Sequence, residues 1–171
     1  PHLDKLDPKA RQIGAVNTIV RESDGQLVGY NTDGQGFIDM SIKPLPRHDE
    51  AFLESLNAMS VLLIGAGGAA RAVAVFLGEA VGPKGRVFIC NRTVEKALEL
   101  VEVLTESGAR AEYIEEAHIG DVAQTVDLIV NSTTKGQSDL RGVNGARVTC
   151  LEPYSAPGQA SPVTIGESEV E

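Results

Sequence analysis

The sequence predicts an α/β fold built on a doubly wound parallel sheet. Its 171 residues are enough to form one sizeable hydrophobic core. From residue 61 onward, apolar strand-like stretches alternate with helical stretches, which is typical of βαβ units. A glycine-rich turn stands between the most apolar of these strands and the helix that follows it. This combination is the mark of a Rossmann-type sheet.

The glycine-rich turn lies in the run VLLIGAGGAA at residues 61–70. Gly65 permits a sharp turn, and Gly67 allows the backbone to approach a pyrophosphate. Ala70 is the small residue that the G-x-G-x-x-G/A pattern requires where the helix packs on the strand. The N-terminus of that helix would face the anion. A turn that only allows tight packing is the alternative, and the flanking strand and helix favour dinucleotide binding.

The elements before the turn are predicted from periodicity and turn residues. Residues 2–12 have a loosely amphipathic helical pattern. Two strands, 15–21 and 27–30, flank the turn sequence SDGQ and predict a hairpin. Thr32 or Asp33 can cap a short helix over 35–40. A Pro-rich linker at 43–49 and a short helix at 50–56 would then lead into the strand before the turn.

The elements after the turn continue the alternation. We predict a helix over 69–81 that ends at Gly82, a strand over 86–90, and a helix over 93–107. Thr93 is the expected N-cap of that second helix, and Gly108 its stop. Further strands are expected at 109–114, 125–130 and 146–151. Beyond Pro153 we expect a poorly ordered tail.

Composition excludes several classes of function. A net charge of −9 argues against a nucleic-acid or membrane-surface partner, and any anionic ligand must be held by local positive groups. We see no membrane span and no secretory leader.

Cys90 and Cys150 lie in apolar stretches, which favours buried, reduced thiols in a cytoplasmic protein. The three histidines, His2, His48 and His118, have no metal-site spacing, so we expect surface positions and no metal.

The residues that follow the strand predicted over 86–90 indicate which dinucleotide is bound. NAD-binding sheets place an acidic residue there, whereas this sequence has Asn91, Arg92 and Thr93, with Lys96 one turn on. An arginine and a lysine suit a 2′-phosphate, while Glu95 is expected to point away. A solvated helix start with basic residues is the alternative. Together with the glycine turn, the pattern favours NADP.

Five short motifs carry a family resemblance. GAVNT stands at 14–18, NTDG at 31–34, GAGGAA at 65–70, NRT at 91–93 and NST at 131–133. In this order they resemble the shikimate/quinate dehydrogenase family, over residues 3 to 135. GAVNT and NTDG count against other NADP oxidoreductases, such as a glutamyl-tRNA reductase or a methylene-tetrahydrofolate dehydrogenase. The resemblance implies NADP-dependent interconversion of shikimate and 3-dehydroshikimate, a step of aromatic amino-acid biosynthesis.

The resemblance also implies roles for particular residues. Asn17 would bind hydroxyls of a small cyclic hydroxy acid, and Asp33 would bind the reacting hydroxyl and pair with a catalytic lysine. The pyrophosphate would be held by Gly65, Ala66, Gly67, Gly68 and Ala69. The adenosine phosphate would be held by Asn91, Arg92, Thr93 and Lys96, and Thr133 would lie beside the nicotinamide. Each has a plainer alternative: Asn17 could bond backbone, Asp33 could only cap a helix, and Asn31 could brace its turn.

The sequence also departs from the family pattern. The T-x-P-x-K segment that carries the catalytic lysine would lie just upstream of Pro1, and Lys5 and Lys9 do not match it. Residues 151–155 only loosely resemble the family's C-terminal motif. We therefore expect a fragment that binds NADP weakly and turns over little alone.

The expected domain organisation follows from the resemblance. Residues 1–42 would be the remnant of an N-terminal α/β substrate domain, 43–58 a linker with a lead-in helix, 59–152 the Rossmann domain and 153–171 a tail. A quinate dehydrogenase and a non-catalytic NADP-binding module are the alternative functions, and the oligomeric state is left open.

Overall fold

The structure, a computed structural model, describes residues 2–44 and 51–133. The predicted strand at 146–151 and the tail lie outside these residues, as do Cys150, His48 and most of the linker. His2 and His118 are exposed and Cys90 is buried, as predicted.

The N-terminal part forms a small mixed sheet. Strand β1 (Lys5–Leu6) is followed by helix α1 (Pro8–Ile13), strand β2 (Thr18–Arg21) and strand β3 (Leu27–Tyr30). The strand order is β1-β3-β2, with β2 antiparallel and β1 parallel to β3. The hairpin is confirmed, although β2 begins at Thr18 rather than at 15.

The continuous helix predicted over 2–12 is wrong, because residues 5–6 form a strand and the helix begins at Pro8. A proline disfavours the helical conformation at the residue before it. Asp7 is accordingly extended, and its carboxylate caps α1 by accepting bonds from the Lys9 and Ala10 N–H groups at 2.9 and 3.3 Å. The Asp-Pro pair therefore starts the helix six residues later than its periodicity suggests.

The second sheet is parallel throughout. It contains β4 (Ser60–Ile64), β5 (Arg86–Cys90), β6 (Ala111–Tyr113) and β7 (Leu128–Asn131), in the order β6-β5-β4-β7. The chain leaves β4 in one direction for β5 and β6 and returns to its other side for β7. Such a reversal of strand order opens a crevice at the carboxyl ends of the strands, where ligands bind in open α/β sheets.

Helices complete the core around this sheet. Helix α2 (Asp33–Ile42) packs against α3 (Gly68–Val81), which also contacts α4 (Val94–Glu106). Residues 61–63 of the central strand have no exposed surface, which confirms a strand covered on both faces.

The lead-in helix predicted at 50–56 is wrong over the described residues, since 51–56 are irregular. The Leu53 N–H donates to the Ser41 carbonyl at 2.8 Å, at the end of α2, and Leu56 is buried in the core. A backbone bond to α2 and the burial of Leu56 therefore hold this segment in place without a helix.

The segment between β6 and β7 also differs from the prediction. A 3-10 turn (Glu116–His118) leads directly into the short helix α5 (Ile119–Ala123). Strand β7 consequently begins at Leu128 and not at 125.

Candidate active site

The glycine turn joins β4 to α3 at the crevice. Gly65 has a φ of +118°, a conformation that is open only to glycine. A Cβ at this position would also lie 3.2 Å from the Ser132 carbonyl oxygen and from the Thr133 Cγ2 atom. Gly65 therefore serves the fold, because it brings the turn against the end of β7.

The N-terminus of α3 has open space beside its first residues. Its cap residue is Gly67, so no side chain caps the helix, and a Cβ on Gly67 or Gly68 would meet nothing within 4 Å. The first N–H groups of a helix have no partner within the helix. Ala70 has no exposed surface, as the small position of the fingerprint predicts. These features leave room and donors for an anionic group such as a pyrophosphate.

The loop after β5 lies beside this turn. The Asn91 Oδ1 atom accepts a hydrogen bond from the Ala66 N–H at 3.1 Å, and its Nδ2 atom donates to the Thr93 carbonyl at 2.8 Å. Arg92, Thr93 and Lys96 are exposed. Thr93 occupies the N-cap position of α4 as predicted, but its hydroxyl makes no capping hydrogen bond. The Thr93 hydroxyl is therefore not used in holding the helix end.

Several glutamates surround Tyr113 on β6, beside the loop that follows β5. Burial raises the pKa of the Tyr113 hydroxyl, and the nearby charge of Glu115 raises it further, with smaller contributions from Glu116 and Glu95. Arg92 and Lys96 are the cations beside β5 that could hold a phosphate against this local field and against the net charge of −9.

The end of β7 is held by Asn131. Its Oδ1 atom accepts bonds from the Thr133 N–H at 3.0 Å and from the Thr133 hydroxyl at 2.7 Å. The Ser132 N–H donates to the Ile64 carbonyl at 2.9 Å, so β4 and β7 end side by side. Thr133 therefore lies next to Gly65, within the crevice.

Asn17 and Asp33 form a pair in the N-terminal part. The Asn17 Nδ2 atom donates to the Asp33 Oδ1 atom at 2.7 Å, across 16 positions of the chain. The Asn17 Oδ1 atom accepts from the Thr32 N–H at 3.1 Å. Both residues are exposed, so the pair can meet a ligand.

The plainer role for Asp33 is wrong, because Thr32 is the N-cap residue and Asp33 is already in the helix. Asn31 does brace the turn: its Oδ1 atom accepts from the Asp33 N–H at 3.2 Å and its Nδ2 atom donates to the Ala15 carbonyl at 3.4 Å. For Asn17, the suggested bond to backbone is present at its Oδ1 atom, which accepts from the Thr32 N–H. Its Nδ2 atom bonds to Asp33 instead.

Arg71 connects the two parts, and no sequence signal pointed to it. Its Nε atom donates to the Ile13 carbonyl at 3.1 Å, at the end of α1, from the first turn of α3. Its guanidinium also lies 3.9 Å from the Glu99 carboxylate on α4. The sequence does not show that Arg71 meets a carbonyl 58 positions earlier in the chain.

The described part of the chain shows neither a metal cluster nor a membrane-spanning helix. Within residues 2–44 and 51–133, no group of three or more His, Cys, Asp or Glu side chains could hold a metal ion. None of the helices in that part of the chain has the length and apolar character to cross a bilayer.

The strand order, the glycine turn at its switch point and the open helix N-terminus define an α/β protein of the Rossmann class. The family model for shikimate / quinate 5-dehydrogenase matches residues 48–143. The chain therefore belongs to the shikimate/quinate dehydrogenase family, which confirms the resemblance seen in its motifs.

Known relatives agree with this assignment. A Bacillus licheniformis protein named shikimate dehydrogenase (NADP(+)) is 41% identical over 155 residues, 88% of this chain and 51% of the relative. A Thermus thermophilus shikimate 5-dehydrogenase solved with NADP(H) and shikimate has a TM-score of 0.57 and 38% identity, covering 79% of this chain and 43% of that one. A Corynebacterium glutamicum quinate dehydrogenase solved with NAD has a TM-score of 0.65 and 30% identity, covering 87% and 50%. The chain spans about half the length of these proteins.

Proposed function

We propose that this chain forms the cofactor site and part of the substrate site of an NADP-dependent dehydrogenase that interconverts shikimate and 3-dehydroshikimate. The observation that carries the proposal is the Asn17–Asp33 pair, joined at 2.7 Å beside the helix that packs on α3. A module that only bound a nucleotide would have no need of a second polar site for hydroxyl groups.

The cofactor assignment rests on the crevice. Gly67, Gly68 and Ala69 offer backbone donors and open space to a pyrophosphate. Arg92 and Lys96 offer positive charge to a 2′-phosphate, and residues 91–93 include no carboxylate that would repel it. Thr133 at the end of β7 would lie along the nicotinamide. Bound NADP supplies the hydride acceptor at its nicotinamide ring.

The substrate assignment rests on the chemistry of an amide and a carboxylate. Oxidation of a secondary alcohol requires the hydroxyl proton to leave toward a base as hydride departs from the same carbon. Asn17 can bond to ring hydroxyls, and Asp33 can accept a bond from the reacting hydroxyl. A carboxylate is a weak base at neutral pH, so Asp33 would orient the hydroxyl and polarise a lysine that takes the proton. Neither Lys5 nor Lys9 matches that lysine.

Quinate dehydrogenase and a non-catalytic NADP-binding module are the two alternative functions. The Corynebacterium relative shows that a similar fold takes quinate dehydrogenase function and NAD. Arg92 and Lys96 favour a phosphorylated ribose and so NADP, but no described residue separates shikimate from quinate. A non-catalytic NADP-binding module would keep the crevice and need no Asn17–Asp33 pair.

The first experiment is a titration of the full chain with NADPH and NADH, followed by nicotinamide fluorescence. We expect a preference for NADPH that falls at least tenfold in Arg92→Ala, the loss that a charged hydrogen bond to phosphate implies. Arg110→Ala is the matched control, because Arg110 is exposed but precedes β6 at the opposite end of the sheet. Equal affinities for the two dinucleotides, unchanged in Arg92→Ala, would contradict the NADP site.

A second assay separates the dehydrogenase from the binding module. The natural full-length protein should reduce NADP with shikimate, and more slowly or not at all with quinate. Binding without turnover of either acid would favour the module. Reading the upstream coding sequence for T-x-P-x-K is a quick companion observation.

A further inference from the structure

The Asn91 side chain bridges the two loops that form the dinucleotide crevice. Its oxygen accepts from the Ala66 N–H in the glycine turn at 3.1 Å, and its nitrogen donates to the Thr93 carbonyl at 2.8 Å. One residue earlier, the Cys90 carbonyl accepts from the Gly65 N–H at 2.7 Å. The end of β5 thus engages the first two N–H groups of the turn and leaves those of Gly67 and Gly68 at the open helix end.

We propose that Asn91 is a positioning residue which fixes the glycine turn relative to the loop at 92–93, and that it does not bind the 2′-phosphate itself. The inference rests on the proposed function and deepens it. A single amide would set two subsites at once: the turn for the pyrophosphate and the loop that carries Arg92 for the phosphorylated ribose.

An amide meets both requirements, and a carboxylate does not. The Ala66 N–H needs an acceptor and the Thr93 carbonyl needs a donor, and asparagine supplies one of each on a short side chain. Aspartate could accept from Ala66 but could not donate to Thr93. This explains in physical terms why an amide stands at the strand end where NAD-binding sheets carry an acidic residue.

The positioning role and direct phosphate binding predict different binding profiles. A direct ligand of the 2′-phosphate matters only to NADPH, so its removal lowers affinity for NADPH and spares NADH. A residue that sets the pyrophosphate turn matters to both, because both dinucleotides carry the pyrophosphate. The ratio of the two affinities therefore distinguishes the two roles.

The experiment compares Asn91→Ala with Arg92→Ala in the full chain. NADPH is followed by its fluorescence and NADH by displacement of NADPH. We expect Asn91→Ala to weaken both dinucleotides by a similar factor, on the order of tenfold for two lost hydrogen bonds. Arg92→Ala should weaken NADPH alone. A loss confined to NADPH in Asn91→Ala overturns the proposal, as does wild-type affinity for both.

Amide hydrogen exchange at Ala66 supplies a readout that needs no cofactor. We expect exchange to accelerate in Asn91→Ala and to stay slow in Asn91→Asp, which keeps the acceptor for Ala66 and the fold around it. Fast exchange in Asn91→Asp, or slow exchange in Asn91→Ala, overturns the proposal. If the wild-type chain binds neither dinucleotide, the proposed function fails, and the exchange data still decide whether Asn91 holds the turn.

Discussion

Gly65 and Gly67 stand two residues apart in one turn, but the structure requires glycine only at position 65. Gly65 has a φ of +118°, and its missing Cβ would crowd the end of β7. Gly67 has a φ of −80°, which any residue adopts, and its Cβ would meet nothing. The glycine at 65 is thus needed for folding, and the open space at 67 is available to a ligand.

Alanine at each position tests this difference. Gly67→Ala should be as stable as wild type or more so by about 0.5 kcal/mol, because alanine restricts the unfolded chain. It should nevertheless lose NADPH affinity, since the new methyl group lies where the pyrophosphate would approach. Gly65→Ala should lose about 1–3 kcal/mol of stability from backbone strain. Urea unfolding and NADPH titration measure the two effects, and tight binding by Gly67→Ala would contradict the assignment of the turn.

Residue roles were predictable where the partner is near in sequence. The alternative role of Asn31, bracing its turn, is confirmed by its bond to the Asp33 N–H two residues on. The Asn17–Asp33 bond spans 16 positions, and only the hairpin brings the two residues together. Periodicity carries no information about such a contact, so the sequence does not predict the bond, and the family resemblance identifies Asn17 and Asp33 only separately.

At the scale of elements, α2 lies so close to α3 that Gly34 has no room for a side chain. A Cβ at Gly34 would come within 2.3 Å of the Ala72 carbonyl oxygen and of the Phe76 ring. Gly36, two residues on in the same helix, would meet nothing within 4 Å. The N-terminal end of α2 carries Asp33, so this close contact also sets where Asp33 stands relative to the crevice.

The two glycines therefore form a matched pair for mutation. Gly34→Ala should destabilise the protein by about 1–3 kcal/mol, because backbone of α3 has to move. Gly36→Ala should stabilise it by about 0.5–1 kcal/mol through helix propensity. Chemical unfolding of both variants decides the matter. Equal effects of the same sign would mean that the helices are not in close contact at Gly34.

Helices and strands were predictable where their stability comes from local sequence or where their hydrophobic pattern is long. The strand over 86–90 and the helix that ends at Val81 match the structure at those bounds, since both are mainly apolar and glycine marks the start of the strand and the end of the helix. Helix α5 has five residues and gains stability mainly by burying Ile119, a tertiary contact that no local pattern announces. The irregular segment at 51–56 is the converse case, because its backbone bonds to α2.

At the scale of the whole molecule, contacts between helices connect the N-terminal sheet to the parallel sheet. Lys9 on α1 forms an ion pair with Glu79 on α3 and lies 5.5 Å from the centre of the Phe76 ring. Arg71 donates to the end of α1 from the helix that opens on the crevice. Because α1 leads through Gly14 to Asn17, Arg71 links the placement of the Asn17–Asp33 pair to that of the glycine turn.

Removing the Arg71 guanidinium should separate cofactor binding from catalysis. In the natural full-length protein, Arg71→Ala should lower kcat for shikimate by about ten- to a hundredfold, since a misplacement near 1 Å costs that much. NADPH affinity should stay within about twofold, because the crevice itself is held by β4, β5 and β7 and not by the α1 contact.

The control is Glu99→Gln, which breaks the 3.9 Å ion pair and leaves the bond to the Ile13 carbonyl in place. That variant should behave as wild type, since an exposed ion pair contributes little. Parallel losses of NADPH affinity and kcat in Arg71→Ala would show that the arginine acts on the cofactor site. Wild-type kcat in Arg71→Ala would show that Asn17 and Asp33 keep their place without it, and that the helix contact at Gly34 suffices to align the two sheets.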